Sequence, residues 1–397
     1  MQLLKFRIVG HPAIPASPWI EVGPGLNVLR TGQEGAQALL RMLQTVNPPY
    51  ALQHVNPFGD FPLSITHQTY SRKIIPAKKT VALALFAASP QLVAALAALD
   101  PLFYETGWIE LGRRRDYSQW LNFVELSGST RYSEIAATLA SLLSLVGPEA
   151  TGEADDLRAA LAAWRGSDRI KGQGALQLTA QLQALGALLP EEHRSRLDPC
   201  FRAIDRASHF SRAKEVVTAR LPLFLALSET TVAACGGEAT GTSPLAALAV
   251  RLGKQAADPE HTLRQVNLQL ATLPPDRQLR YRVEGGGLCL ESASVSAPRS
   301  LSAWPAGAAI EALLTALALL HEALYWCAPI CLVDTHGLKL PHRDRVALLE
   351  ALRRFCSSRQ CLVAPDDELL ALCTEFLKES APATQPWLRL VDVDLTD

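Results

Sequence analysis

A glycine-bearing turn between a short strand and a helix near the N-terminus constrains this chain more than any other feature. Residues 3–43 read LLKFRIVGHPAIPASPWIEVGPGLNVLRTGQEGAQALLRML. The order is strand, turn, strand, then a loop with Gly32 and Gly35 that runs into a helix carrying Leu39 and Leu40. That is the scaffold of a phosphate-binding loop, where glycines let backbone N–H groups face the phosphates at a helix N-terminus. A working loop reads G-x-x-x-x-G-K-[ST]: its lysine reaches the β/γ oxygens and its hydroxyl holds Mg²⁺. Registering the helix on Leu39 and Leu40 puts Gly35 at the last glycine, Ala36 at the lysine and Gln37 at the Ser/Thr. No lysine lies between Lys5 and Lys73. The loop is expected to survive in outline, without its cation and its metal ligand.

Other segments carry a family pattern. The first strand, Leu3-Leu4-Lys5-Phe6-Arg7-Ile8, stands where the pattern has L-x-x-L-x-I-x-x-F, with Phe6 at the second leucine, and the second ends in Gly25-Leu26-Asn27-Val28-Leu29, where the pattern has G-L-N-x-I, with Leu29 at the isoleucine. Near the other end, the apolar strand Ile330-Cys331-Leu332-Val333 closes on Asp334, with Thr335 and His336 after it. Together these resemble the heads of SMC- and RecF-type ATPases, a branch of the ABC ATPases. The resemblance implies an α/β fold: an ABC-type P-loop ATPase head built from N- and C-terminal lobes, with an inserted α-helical domain.

The resemblance also implies roles, and most are unfilled here. Asp334 stands where the family's Mg²⁺-binding aspartate would be. Thr335 replaces the glutamate that polarises the attacking water, and a threonine hydroxyl is no general base near neutral pH. Ser302 belongs to the place of the L-S-G-G-[QE] signature, but Trp304 is bulky and Pro305 has no N–H to donate. Asp366 stands where a histidine would sense the γ-phosphate. The vestigial nucleotide-binding set is therefore Gly32, Gly35, Ala36, Gln37, Ser302, Asp334, Thr335 and Asp366, with no catalytic residue and no metal ligand among them.

The length of 397 residues predicts two or three folding units. The expected division is an N-terminal lobe over 1–146, a helical insertion over 147–276 and a C-terminal lobe over 277–397. Within the insertion the alanine- and leucine-rich pattern predicts helices over 154–164, 174–188, 191–206, 213–235, 245–256 and 260–271, without the sustained heptads of a coiled coil. A hairpin is expected over 279–291 with the turn at Gly285-Gly286-Gly287, and a last strand over 387–393. The eight cysteines form no C-x-x-C pair, which suits a reduced, cytoplasmic setting. Apolar runs such as 308–320 are shorter than the roughly 20 residues a membrane span needs.

A formal net charge of −1 removes any global electrostatic argument for nucleic acid. Local clusters remain: Arg72, Lys73, Lys78, Lys79, Arg113, Arg114 and Arg115 lie on connections of the first lobe. They admit two readings, contact with DNA phosphates and the commoner one, a solvated strand edge. Asp334, His336, His342 and Asp344 match no compact metal-ligand motif. The function expected is that of a non-catalytic pseudo-ATPase subunit, with no cofactor beyond weak ATP–Mg²⁺ binding. Its expected partner is a protein, either an intact SMC/ABC-type ATPase or a second copy, plausible settings being DNA maintenance, repair or defence. Two alternatives stay open: a nucleotide-binding ATPase whose site a partner completes, and a scaffold that binds partners through the helical insertion.

Overall fold

The computed structural model describes the chain except at residues 12, 56–57, 59–77, 100–106, 125, 127–129, 147–150, 171, 228–243, 285–286, 294–303, 305, 339, 380–386 and 396–397. The described chain divides into two compact units. One comprises Met1–Val93, Gly107–Val124 and Ala219–Asp397, and the other comprises Ala94–Thr106 and Glu125–Thr218.

Among the described residues, the first unit holds two large sheets and one two-stranded hairpin sheet. Strands β1 (Gln2–His11), β2 (Ile14–Ala16) and β3 (Ile20–Glu21) precede β4 (Leu26–Arg30), and β5 (Thr80–Ala87), β6 (Trp108–Arg114) and β7 (Gln119–Phe123) follow. All but β4 form an antiparallel sheet in the order β2-β1-β5-β6-β7, with β3 on β1. Its strands alternate: Phe6 and Ile8 of β1, Ala84 and Phe86 of β5, and Ile109 and Leu111 of β6 are buried. Such alternation suits a sheet with one face on the core.

The second sheet is parallel and takes β4 from the N-terminal segment. After the short β8 (Thr130–Arg131) and β9 (Arg169–Ile170) of the other unit come β10 (Phe224–Leu227), the hairpin β11 (Leu279–Glu284) and β12 (Gly287–Ser292), then β13 (Ile330–Asp334), β14 (Cys361–Ala364) and β15 (Leu388–Asp392). The parallel order is β10-β13-β14-β4-β15. Val28 pairs with Val363 on one side and Leu390 on the other. Continuous apolar runs such as Cys361–Ala364, buried throughout, are what a sheet covered on both faces requires. Helix α1 (Gln33–Gln44) packs on β13 and β14.

Buried polar side chains seat β4. The Asn27 amide donates to Gly23 O at 3.0 Å, Gly25 O at 3.1 Å and Cys361 O at 3.3 Å, and accepts from Gly23 N at 2.7 Å. Gly25 is required for a different reason: a Cβ there would lie 2.3 Å from Trp387 O, where β15 begins. Gln360 joins the two sheets' segments, accepting from Leu3 N at 3.0 Å and donating to Leu3 O at 2.8 Å and Gly23 O at 2.7 Å. It serves the backbone of β1 where that strand's pairing with β5 shifts register, between Leu3 and Lys5.

Three expectations need correction. The helix expected over 213–235 ends at Ala219, and Phe224–Leu227 is the edge strand β10, parallel to β13. Pro222 breaks the helix by removing a donor and clashing with the preceding turn, and the short apolar run after it packs in the core. The unit boundaries do not fall at 146/147 and 276/277. Helices Pro244–Gln255 and Pro259–Leu270 bury Leu245, Leu248, Leu252, Leu263, Val266 and Leu270 in the same core as Leu313 and Leu317, so they belong to the unit with the parallel sheet. The third concerns the apolar run from Ala308. It extends to Tyr325, long and apolar enough to cross a membrane, but 72% of it is buried inside the protein. It is the core helix of the first unit.

The second unit is helical. Helices Ser133–Leu143, Thr151–Ala162, Gly172–Leu188 and Asp198–Ala219 surround a core of Ile135, Leu139, Leu161, Leu178, Leu182, Leu185 and Cys200. Tyr132 stacks on Trp164 with ring centroids 5.7 Å apart.

Two outcomes test this account. Replacing Asn27 with Ala strands buried backbone groups at Gly23 and Gly25, which costs about 1–3 kcal/mol for each unsatisfied group. Urea unfolding of Asn27→Ala is expected to show a loss of about 2 kcal/mol or more. The second concerns His321, fully buried. Its Nε2 accepts from Leu223 N at 3.0 Å, so Nδ1 carries the proton and donates to Cys327 O at 2.8 Å. Burial pushes this imidazole down to about 3, against the rise that the Cys327 carbonyl favours. The unfolded chain takes up this proton near pH 6.5 and the folded chain does not, so stability falls as pH drops from about 6.5 towards 3, by up to about 1.4 kcal/mol per unit. Urea midpoints measured against pH should show this slope, and His321→Gln should flatten it.

Candidate nucleotide-type site

The site lies where β4, β13 and β14 end. β4 finishes at Arg30 and α1 begins at Gln33, with Gly32 at the N-cap and only Thr31 and Gly32 between strand and helix. A phosphate cradle needs several backbone N–H groups left free around the anion. Here the helix is already regular, and Ala36 N donates to Gly32 O at 2.9 Å. The amide at the lysine position is spent inside the helix. Glu34 stands in the first turn, where a carboxylate already meets the helix dipole.

The decisive contact joins two positions 297 residues apart. Gln37 Nε2 donates to Asp334 Oδ2 at 2.9 Å. Asp334 Oδ1 also accepts from His336 N at 3.1 Å. The structure thus brings the Ser/Thr position of the loop and the aspartate of β13 into hydrogen-bonding distance. In a working P-loop a Mg²⁺ ion joins these two positions. In this chain an amide makes the link directly and occupies the carboxylate.

Thr335 and Asp366 have structural partners. Thr335 is fully buried. Its hydroxyl donates to Ala364 O at 3.3 Å and accepts from Asp366 N at 2.8 Å, clipping the end of β13 to the end of β14. An ionised glutamate has no proton to donate to Ala364 O, so it could not make both bonds. Asp366 caps helix Asp367–Glu379 by accepting from Leu369 N at 2.9 Å. Its other oxygen pairs with Arg345 Nε at 2.7 Å, while Arg345 Nη1 reaches Glu368 at 2.8 Å. The negative charge expected at the γ-phosphate position is neutralised within the fold.

Ser302 and Pro305 of the signature segment lie outside the described residues. Trp304 is described, and its indole is buried in the main core. The order of the parallel sheet, with the Asp334 strand one strand removed from the loop strand and a separate antiparallel sheet, decides the architecture. This mixed arrangement fits an ABC-type P-loop ATPase fold.

No family model matches the sequence, and no curated protein does. Solved structures do. An Smc head domain from Pyrococcus furiosus, with an extended coiled coil and bound to the C-terminal domain of ScpA, is 12% identical over 93% of this chain and 91% of that one, with a TM-score of 0.34. An SMC head domain from Thermotoga maritima is 10% identical over 91% and 88%, with a TM-score of 0.33. The recombination mediator protein RecF is 11% identical over 92% and 93%, with a TM-score of 0.30.

The basic residues divide. Arg72 and Lys73 lie outside the described residues. Arg113 donates to Thr45 O, Val46 O and Tyr117 O at 2.8, 2.9 and 2.6 Å, and burial pushes its guanidinium down to about 10. It ties the turn after α1 to β6, so its reading as a phosphate contact is corrected. Lys78 pairs with Asp116 at 2.6 Å, and that contact and Ser118 hold the Asp116 carboxyl well below the usual range. Arg114 donates to Ser118 Oγ at 3.3 Å, and Arg115 N donates to Lys79 O at 2.9 Å. These bonds brace the β6–β7 turn, where Tyr117 has a positive φ of 65°.

A cavity of about 340 Å³ opens at the amino ends of β13, β14 and β15, lined in part by Pro24, Pro329, Arg359 and Trp387. Ligands of such sheets bind beyond the carboxyl ends, so this cavity is separate from the nucleotide-type site. Sequence reasoning missed Arg345 as the partner of Asp366 and Gln37 as the partner of Asp334. An arginine one turn into a helix carries no signal of what it will face across the sheet.

Removing the Arg345 charge should expose the cost of Asp366. Arg345→Leu leaves that carboxylate, about one-eighth exposed, without its cation. The expected loss is about 3 kcal/mol in chemical denaturation, with recovery in the double variant carrying Asp366→Asn.

Proposed function

We propose that this chain is a non-catalytic, pseudo-ATPase head that works by association with another protein. The observation that carries the reading is the hydrogen bond from Gln37 to Asp334, which directly joins the two positions that coordinate Mg²⁺ in a working loop. Around it the other parts of a hydrolytic site have taken up structural work. Ala36 offers no cation, Thr335 clips two strands, and Asp366 caps a helix in an ion pair. Hydrolysis requires charge neutralisation on the phosphates and a positioned water, and these side chains supply neither.

ABC-type heads pair face to face, so the partner that suits this reading is an intact ATPase of the same fold or a second copy of this chain. DNA maintenance, repair or defence is the setting the family resemblance implies, and it remains an analogy from fold to function.

Titration calorimetry with ATP and Mg²⁺ tests the proposal. The first-turn amides and helix dipole contribute only about 0.3–1 kcal/mol to anion binding at an exposed site. The expected outcome is no saturable binding below about 1 mM, equivalent to roughly −4 kcal/mol. Ala36→Lys with Gln37→Ser frees Asp334 and restores the cation, and is expected to bring back nucleotide binding without turnover, because Thr335 still lacks a base. Micromolar, Mg²⁺-dependent affinity in the unmodified chain, or ATP turnover abolished by Asp334→Asn, would overturn the reading.

A further inference from the structure

Two arginines meet at the amino end of the parallel sheet without a counter-charge. Arg220 follows the helix Asp198–Ala219 and precedes β10, and Arg251 lies in the helix Pro244–Gln255. Each closes the end of a helix. Arg220 Nη1 donates to Leu324 O in the last turn of the helix Ala306–Tyr325. Arg251 Nη2 donates to Ala219 O, which Gln255 Nε2 also reaches at 3.1 Å. Among the described residues neither guanidinium meets a carboxylate; Glu322, one turn before Trp326, is taken by Arg359 at 2.8 Å. Burial and the Arg251 charge push the Arg220 guanidinium below its ordinary value, and burial does the same to Arg251. A helix C-terminus carries about half a negative unit, so two of them leave the two arginines with roughly one positive charge unanswered.

The free part of Arg220 has a defined shape. Its Nη1 is engaged with Leu324 O and lies 3.5 Å from Gln255 Oε1, while Nε and Nη2 have no partner among the described residues and are not buried. Those two nitrogens form one edge of the guanidinium plane, the fork that holds a carboxylate through two parallel hydrogen bonds. Trp326 fixes that plane. The Arg220 guanidinium carbon stacks 3.5 Å from the indole centroid, and Arg251 lies over Tyr325 at 4.9 Å. Trp326 holds this place with a φ of 60°. The left-handed position after a helix is usually glycine's, because a side chain there crowds the backbone. A bulky residue kept in that conformation and 36% exposed points to a role for its ring beyond ending the helix.

We propose that Arg220, Arg251 and Trp326 form a docking surface for an acidic segment of a partner protein, with a glutamate or aspartate carboxylate seated on the Arg220 fork. Tryptophan and arginine are residues that concentrate binding energy at protein interfaces. Val250, 60% exposed, adds an apolar contact beside Arg251, and the exposed Lys254 adds a cation one turn on. The surface precedes β10 and β13, at the opposite end of the sheet from the nucleotide-type site. It stays open while that other end is engaged, and the proposal stands independently of the pseudo-ATPase reading.

The test uses the full chain with isotope-labelled arginine and follows the Nε–H signals of Arg220 and Arg251, identified from Arg220→Lys and Arg251→Lys. Three probes are titrated: the capped peptide Ac-Glu-Leu-Glu-NH2, its glutamine counterpart, and a short oligothymidylate that presents phosphodiesters. The glutamate peptide is expected to shift both signals with a dissociation constant of about 1 mM or tighter, and the glutamine peptide to leave them in place. Arg220→Lys should weaken the glutamate peptide about fivefold, because an ammonium lacks the planar fork. Trp326→Gly should weaken it similarly while the melting temperature holds or rises, since glycine accepts the left-handed backbone. Both signals unmoved by the glutamate peptide at about 10 mM, or moved at lower concentration by the oligothymidylate, would overturn the proposal. So would full affinity in a folded Trp326→Gly chain. Titration of the unmodified chain decides the matter even where a variant fails to fold.

Discussion

The fold depends on β4 lying between β14 and β15. A strand laid down within the first thirty residues has both neighbours supplied by residues beyond 360, paired as Val28 with Val363 and Leu390. A strand in the middle of a parallel sheet has both rows of backbone groups to satisfy and both faces to cover, so it cannot be stable until both neighbours are present. Everything at the carboxyl end of the sheet follows. The α1 turn, the end of β13 and the end of β14 come together only when β4 is seated, and the Gln37–Asp334 bond is a consequence of that seating.

The polar residues that guide this assembly carry no charge. Asn27 serves main-chain groups of Gly23, Gly25 and the distant Cys361, and Gln360 serves those of Leu3 and Gly23. A neutral amide has both donors and acceptors, so it can serve N–H and C=O groups at once in a buried place without the desolvation cost of an ion. The charged pairs are placed further out or are doubly matched: Glu311 meets both Arg277 and Arg354, and Arg345 meets both Asp366 and Glu368. The cysteines add nothing reactive to the core. Burial pushes the Cys331 thiol well above its ordinary value and Cys373 to about 12, and they pack as small hydrophobes.

On the proposed reading, the site keeps its packing demands while its catalytic demands have lapsed. Each departure from a working loop is now a fitted structural element: an amide where a metal would bridge, a clip where a base would stand, a helix cap where a sensor would lie. These features act together, because the Gln37 amide engages Asp334 while the first turn of α1 is already regular. That is why restoring one residue would leave the remainder of the arrangement in place.

How far the sequence reached is clearest residue by residue. The G-L-N segment and the glycine-bearing turn were legible because local requirements produce them: Gly25 answers a close backbone approach, and a strand–turn–helix needs its apolar period. The same holds for β13, β14 and β15, short buried runs bounded by breakers. β10 was hidden in an alanine- and leucine-rich stretch, because four apolar residues read the same in a helix as in a buried strand. Helices 244–255 and 259–270 were assigned to the wrong unit for a related reason: their leucines show that they bury a face, and say nothing of which core receives it. Side-chain identity determined on its own that Ala36 lacks a cation and Thr335 lacks a base. Only the tertiary structure decided what Gln37, Thr335 and Asp366 touch, and that Leu395 lies beside Gly35, because those contacts join residues about 30 to 360 positions apart and exist only once the parallel sheet has brought the two ends of the chain together.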